Sequence, residues 1–519
     1  MAIKYIEIEG FRSIRNERWT MNDVVLLIGK NGSGKSNILD ALDYFYKNMI
    51  FEQEDDSIFD RNNRFNNEVR IQIVYDMKRV GRIVNANLQD SNAVYNGFYR
   101  KIRAMSEDNK VVLELRKRKN KPVVWNADYN IRQILNAVFP LYFVDARQIQ
   151  LTDWENLWGL IGDFTKLENS NTDNVKSDLW EYFLTQNDEL GSKIKNLKKA
   201  LEDKKIALKD MSAKEFARTI TAIALDGTDF QYNQKSLDGY SDGTNAYNYT
   251  TVLIEILCLI HRTKLKEPVI ILDEPELSLH HTMIDQLMNR IIESSDQLQY
   301  MISTHSARAV KNLLEQGEAI YDIYHISYVK EYSHIQHVNG FQQDDRREQI
   351  VITDSHANSF FAKMVVSVEG ESEQEVLQNK YLRCLFPTLT EIDIVKGMSN
   401  QVVNNIISPV KRNYNVPWMS IVDMDKVLTK KENENSFVFR TIHSQQKKEA
   451  YLYGKERMER LGLHKRIRAM AEKCRFSYQY PFFSCEDSNY AIMKKLIRQY
   501  YWKYQTIVLN TTIEGSREK

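Results

Sequence analysis

Residues 29–36 read Gly-Lys-Asn-Gly-Ser-Gly-Lys-Ser, an instance of G-x-x-x-x-G-K-[ST], and this octet constrains the chain more than any other stretch. The glycines let the backbone wrap so that its N–H groups point at phosphates, while Lys35 reaches the β- and γ-phosphates and the Ser36 hydroxyl ligates Mg²⁺. Such a loop works only between a buried strand and a helix. Residues 24–28 form a continuous apolar run before it, and Ile38, Leu39, Leu42 and Phe45 line one side of an amphipathic helix after it. Asn31, Gly32, Ser33, Gly34, Lys35 and Ser36 are therefore expected to bind ATP.

The chain of 519 residues is long enough for about three domains at ~150 residues each. It is 43% hydrophobic and 27% charged, which excludes a disordered tail protein or a collagen-like chain. The longest apolar stretch, residues 252–260, is interrupted by Glu255 and is too short to span a bilayer. Residues 1–12 alternate apolar and polar, so no secretory segment is expected there. Cys258, Cys384, Cys474 and Cys485 lie far apart without metal-ligand spacing, which suits reduced thiols and a cytoplasmic protein. The formal net charge of +1 conceals an uneven distribution: residues 360–519 hold 26 Lys and Arg against 18 Asp and Glu. Most of that excess lies in residues 440–475, with 11 basic and 4 acidic residues, including Lys447, Lys448, Lys465 and Arg466. This segment is expected to meet the phosphate backbone of DNA, the bland alternative being a solvated helix face.

Along the chain, the N-terminal segment predicts two strands, at 3–8 and 24–28. Residues 111–115 and 122–125 suggest a hairpin around the basic tip 116–121. Residues 150–215 turn helical, and Leu190, Ile194, Leu197 and Leu201, spaced 4, 3 and 4, suit either core packing within one chain or pairing between chains. Buried strand runs return at 268–272, 299–303, 364–368, 391–395 and 419–422 with helical stretches between, which indicates parallel α/β architecture. Residues 430–436 are polar and read as a loop.

The run Val269-Ile270-Ile271-Leu272-Asp273-Glu274 supplies a partner for the phosphate loop: a buried strand is expected to deliver Asp273 to the Mg²⁺ shell, and Glu274 can orient or deprotonate the attacking water. Ser303-Thr304-His305-Ser306 ends the next strand, with His305 placed to sense the γ-phosphate. Together with Phe11-Arg12-Ser13-Ile14 and Asp273-Glu274-Pro275-Glu276, these motifs resemble the SMC/RecF/OLD branch of the ABC-type ATPases. Tyr240-Ser241-Asp242-Gly243-Thr244 occupies the place of that branch's signature segment. It keeps Ser-x-Gly and departs from the leucine-serine-glycine-glycine form. The resemblance implies that Ser241 and Gly243 of one subunit close on ATP held by another, hence a homodimer or higher homo-oligomer.

A second group of carboxylates follows. Glu369 and Glu373 stand where a strand ends and a helix begins, and Asp423 and Asp425 end another buried strand further along. Open α/β folds build their sites at such strand ends, and clustered carboxylates suit hard cations, Mg²⁺ or Mn²⁺. A glutamate followed at this spacing by Asp-x-Asp resembles the Toprim domain, and the whole arrangement resembles the OLD (overcoming lysogenisation defect) family of nucleases. It is also similar to the nuclease subunit of Gabija defence and to retron-associated OLD effectors. The resemblance implies Glu369, Glu373, Asp423 and Asp425 as metal ligands, with Glu486, favoured over Asp487, as a further acid. It leaves Lys494, Lys495 and Lys503 as candidates for a catalytic lysine.

The expected fold is α/β: an ABC/SMC-like ATPase domain with a helical insertion, followed by a C-terminal Toprim (Rossmann-like) domain. The expected segments are 1–150 and 216–350 for the ATPase, 151–215 for a dimerising insertion and 351–519 for the nuclease. The expected function is an ATP-regulated, divalent-metal-dependent DNA endonuclease of a bacterial anti-phage system. The alternative is a non-nucleolytic DNA-binding ABC-type clamp or regulatory ATPase. Expected partners are DNA, a second copy of the chain and a defence protein such as a helicase or a retron reverse transcriptase with its nucleic acid; no membrane partner is expected.

Overall fold

A computed structural model describes residues 2–52, 55–60, 67–87, 106–147, 151–165, 177–178, 181, 188–204, 212–227, 229–237, 240–263, 265–317, 319–342, 345–396, 406–431, 436–439, 454–474 and 488–509. The chain divides into two compact units, one of residues 1–2, 76–110 and 129–300, the other of 3–75, 111–128 and 301–519. Both interleave along the sequence and so divide it differently from the four consecutive segments expected.

In the second unit, Val24–Gly29 is buried at every position, as its unbroken apolar run requires. Burying each such side chain contributes roughly 1.5–3 kcal/mol. This strand pairs in parallel with Tyr321–Val329, which turns back antiparallel into Tyr332–Val338. Ile3–Phe11 lies between Ile14–Thr20 and Glu68–Asp76, antiparallel to both. Ile14–Thr20 corrects the two-strand expectation for the N-terminal segment. Only Ile14 and Trp19 of its seven residues are buried, so its alternation is too polar to register as a strand. The hairpin of Lys110–Arg118 with Val123–Trp125 forms as expected, in the register Lys117↔Val123 and Leu115↔Trp125. Its basic tip is largely spoken for: Lys117 is buried with Nζ donating to the Lys121 carbonyl, and Arg116 and Arg118 pair with Glu114 and Glu68.

The C-terminal part of the same unit builds a separate four-stranded parallel sheet, in the order Ile392–Lys396, Met364–Val368, Trp418–Val422, Thr506–Val508. Helices Glu371–Gln378, Lys455–Lys473 and Ser488–Trp502 accompany it, and Val422, Ile467, Met493, Ile497 and Tyr501 share one buried cluster. Of residues 430–436, expected as a loop, Lys430, Lys431 and Ser436 lie at the ends of two paired strands, Leu428–Lys431 and Ser436–Phe439, and residues 432–435 lie outside the described residues. Apolar Leu428, Phe437 and Phe439 hold that hairpin against the cluster.

In the first unit, Val269–Asp273 runs parallel to Leu141–Asp145, bringing Asp273 level with Asp145. Helices surround this pair: Leu151–Thr165, Asp188–Asp203, Ala213–Ala224, Asp242–Thr263 and His281–Ser294. Trp154 and Trp158 each lie 5.2 Å from the Phe230 ring and anchor the first of these helices. On Asp188–Asp203 the apolar stripe does not reach a core: Ile194 is 37% and Leu197 61% exposed. Among the described residues no helix is long and apolar enough to cross a membrane.

Candidate functional site

The phosphate loop is held from several sides within the second unit. The Lys35 ammonium, buried with its side chain, donates to the carbonyls of Gly29 (2.9 Å) and Lys30 (3.2 Å), which fixes it at the centre of the loop. Gly34 has φ +105°, and a Cβ there would come 2.0 Å from Ser333 Oγ, so only glycine fits. Ser333 Oγ donates to the Ser33 carbonyl at 2.7 Å, and Ser333 N donates to the Ser13 carbonyl at 2.8 Å. Asn37 Nδ2 donates to Ser13 Oγ at 2.7 Å, while Arg12 reaches Asn37 and Asp40 from a turn with φ 46°. The Phe-Arg-Ser-Ile segment is thus a staple between the loop and its helix. Ser36, Asn31 and Gly32 face solvent, as groups awaiting a phosphate chain must.

His305 follows the strand Gln299–Ser303, and Thr304 N donates to the Leu27 carbonyl at 3.2 Å, so this segment ends level with the entry to the phosphate loop. The His305 ring lies 6.0 Å from that of Phe361. A second histidine, His325, is buried near the loop lysines. Burial, joined by repulsion from Lys30 and Lys35, pushes its imidazole down to about 4, so it is neutral at pH 7. Alternation in Tyr321–Val329 could have marked His325 as inward, but only strand pairing puts it beside Ile28.

In the first unit, Asp273 is buried at the end of its strand and accepts from Arg147, which also grips Asp145 at 2.9 and 3.2 Å. Arg147 went unnoticed in the sequence because only the parallel pairing of two strand ends brings it to Asp273. Glu274 sits in the left-handed region at φ 50°, an unfavourable conformation for a glutamate and one concentrated at functional positions. Ser241 Oγ accepts from Thr244 N at 3.3 Å, so it caps the helix Asp242–Thr263 and is exposed at the helix's positive end. Gly243 is buried, and a Cβ there would lie 2.1 Å from the Ser278 carbonyl oxygen. Gly243→Ala is therefore expected to destabilise the fold by about 1–3 kcal/mol through overpacking. A lowered urea midpoint checks this, and an unchanged midpoint contradicts it.

The C-terminal carboxylates stand at neighbouring strand ends. Ser367 pairs with Ser420 in parallel register, so Glu369 and Asp423 both emerge just beyond the carboxyl edge, on strands ~4.8 Å apart. Asp423 is buried and begins the short helix Met424–Val427, while Glu369 is partly buried. Asp425 Oδ1 is buried and accepts no hydrogen bond from the described residues, a costly arrangement unless a cation or donor completes it. Glu373 turns elsewhere: its Oε2 accepts from Gly370 N at 2.9 Å, capping the helix Glu371–Gln378. Lys426, overlooked in the sequence although it adjoins Asp425, approaches Glu369 to 3.9 Å.

Among the described residues, no three acids, histidines or cysteines come close enough together to hold a metal ion. Glu369, Asp423 and Asp425 nonetheless supply hard oxygen donors, and the buried Asp425 oxygen fits a Mg²⁺ or Mn²⁺ ligand. Glu486 and Asp487 lie outside the described residues, as do Lys447 and Lys448. Of the candidate lysines, Lys494 lies over the Tyr490 ring at 4.8 Å, Lys503 pairs with Glu459 at 2.7 Å and Lys495 is exposed.

Residues 1–138 match the AAA ATPase domain family. The chain is 22% identical over 403 residues to Endonuclease GajA of Bacillus cereus (strain VD045), a match covering 72% of this chain and 66% of that protein, just under two thirds of its length. Solved structures with a similar backbone include the SMC head domain from Thermotoga maritima, 14% identical, covering 65% of this chain and 100% of that one with a TM-score of 0.36. Another is the Smc head domain with an extended coiled coil bound to the C-terminal domain of ScpA, derived from Pyrococcus furiosus. It is 14% identical, covering 64% of this chain and 95% of that one with a TM-score of 0.40.

Proposed function

We infer that this chain, related to the OLD-type ATPase–nucleases by its motif order and its similarity to Endonuclease GajA, is an ATP-regulated, divalent-metal-dependent DNA endonuclease of a defence system. The observation that carries this reading is that Glu369 and Asp423 follow adjacent parallel strand ends, with Asp425 in the short helix just beyond, in a chain that also holds a phosphate loop. Bound Mg²⁺ or Mn²⁺ would activate water and stabilise the leaving 3′ oxygen. The chain's own part is to supply carboxylate oxygens on two adjacent strand ends, which suit a hard divalent cation. Lys426, at 3.9 Å from Glu369, supplies positive charge to a phosphodiester oxygen. Within the second unit, Lys35 would hold the phosphates and Ser36 would supply an oxygen to Mg²⁺, with His305 set to sense the γ-phosphate; within the first, Asp273 would supply a Mg²⁺ ligand and Glu274 would orient or deprotonate the attacking water. The test is plasmid cleavage by the purified chain with Mg²⁺ or Mn²⁺, with and without ATP.

A competing reading, a DNA-binding ABC-type clamp that does not cut, draws on Glu373 being engaged as a helix cap and on Lys426 offsetting Glu369 without a metal. Metal-independent DNA binding without cleavage would favour it.

The ATP-bound form of this reading is a homodimer. Ser241 stands exposed at a helix N-terminus, a natural place for a phosphate of another subunit, and Ile194 and Leu197 offer an apolar stripe for pairing. Glu274→Gln with ATP is expected to show at least twice the mass of one chain by light scattering. A monomer would remove the composite site.

A further inference from the structure

Helices Lys455–Lys473 and Ser488–Trp502 and the edge strand Thr506–Val508 enclose a groove of about 1030 Å³. That is at the top of the ~300–1,000 Å³ typical of sites for one small molecule, so its size admits a segment of chain as well as a metabolite. Leu463 and Leu509 give it apolar walls. Arg466, Arg498 and Lys503 give it cations, and the carboxylate among the lining residues, Glu459, already pairs with Lys503 at 2.7 Å. Trp502 presents an indole that is 64% exposed, at the end of its helix. An exposed indole beside arginines offers a face on which a planar group can stack.

Leu509, in the wall of the groove, is bonded to the strand that precedes Asp423. Leu509 N donates to the Val422 carbonyl at 3.0 Å, and Asp423 is the next residue after Val422. An acidic peptide would match the charge of the groove but need not supply a planar ring for Trp502. A phosphodiester chain satisfies the cations and arrives where its hydrolysis is proposed. A duplex keeps its base faces stacked inside, whereas an unpaired strand can lay a base on Trp502.

We propose that this groove binds single-stranded nucleic acid, with a base stacked on Trp502 and phosphates on Arg466 and Arg498, and leads the strand towards Asp423. The proposal rests on the nuclease reading for its direction, but its binding test does not depend on cleavage. Fluorescein-labelled oligo(dT) and a duplex of equal length are titrated into the full chain in EDTA. Trp502→Ala is expected to weaken oligo(dT) binding by roughly 5- to 100-fold, while Trp502→Phe stays within about threefold because it keeps a stacking face. Duplex affinity and ATP hydrolysis without DNA are expected to be unchanged, which also shows that the exposed substitution leaves the fold intact. Equal oligo(dT) affinity for wild type and Trp502→Ala overturns the proposal. So does a polyglutamate peptide whose binding depends on Trp502 when that of oligo(dT) does not. Trp502-dependent oligo(dT) binding by a chain that cuts no DNA keeps the groove and removes the nuclease reading. Metal-dependent cleavage with Trp502-independent binding does the reverse.

Discussion

Asp423→Ala is expected to abolish metal-dependent DNA cleavage while leaving ATP hydrolysis in place. Outer-shell changes at metal sites typically cost about 10- to 100-fold, and removing a ligand itself costs at least the upper end of that range. Asp423 follows the end of a central strand of the small parallel sheet, one strand over from Glu369. Plasmid nicking over a Mn²⁺ titration measures the effect. Cleavage by Asp423→Ala at the wild-type rate would show these acids to be structural and would favour the clamp reading. Glu373→Gln is a useful contrast. Its carboxylate caps a helix at 2.9 Å, and glutamine retains an oxygen for that bond, so a much smaller effect is expected.

Lys35→Ala is expected to weaken ATP binding by at least about 2 kcal/mol, roughly thirtyfold, the lower end of what truncating one partner of a buried charge pair costs. The ammonium is buried and held by the Gly29 and Lys30 carbonyls, already aimed into the loop, so its removal leaves a hole lined by acceptors where phosphate oxygens would lie. Glu274→Gln is expected to retain ATP and lose hydrolysis if Glu274 is the proposed base, since it leaves Asp273 in place. Calorimetric titration of ATP into both variants separates the two roles. Equal affinity of wild type and Lys35→Ala would refute the assignment of residues 29–36.

Some features were legible because they depend on neighbours close in sequence. The phosphate loop needs its strand and helix directly before and after, and the all-buried Val24–Gly29 and the helix Lys35–Ile50 are both present. The parallel strands bearing Asp273, Glu369 and Asp423 announce themselves as short apolar runs ending in acids, since both faces of such strands are covered. The Phe-Arg-Ser-Ile segment was legible as a pattern, but its physical task was not. It staples the loop helix through Asn37 and Ser333, and Ser333 is 320 residues from Ser13.

The polar strand Ile14–Thr20 gave almost no signal, because a strand is stabilised by hydrogen bonds to neighbours that one sequence does not name. For the same reason Arg147 at Asp273, Lys426 at Glu369 and His325 beside the loop lysines emerged only once strands were paired. Glu373 illustrates the converse: the spacing suits a metal ligand and a helix cap equally, and the backbone N–H of Gly370 decides where its carboxylate turns. The sequence by itself determined the phosphate loop, the α/β class and which acids end buried strands, because these are set by local periodicity and glycine geometry. Only the tertiary structure decided which cations meet those acids and that Trp502 shares a groove with Arg466 and Arg498, because such contacts depend on strand order and helix rotation.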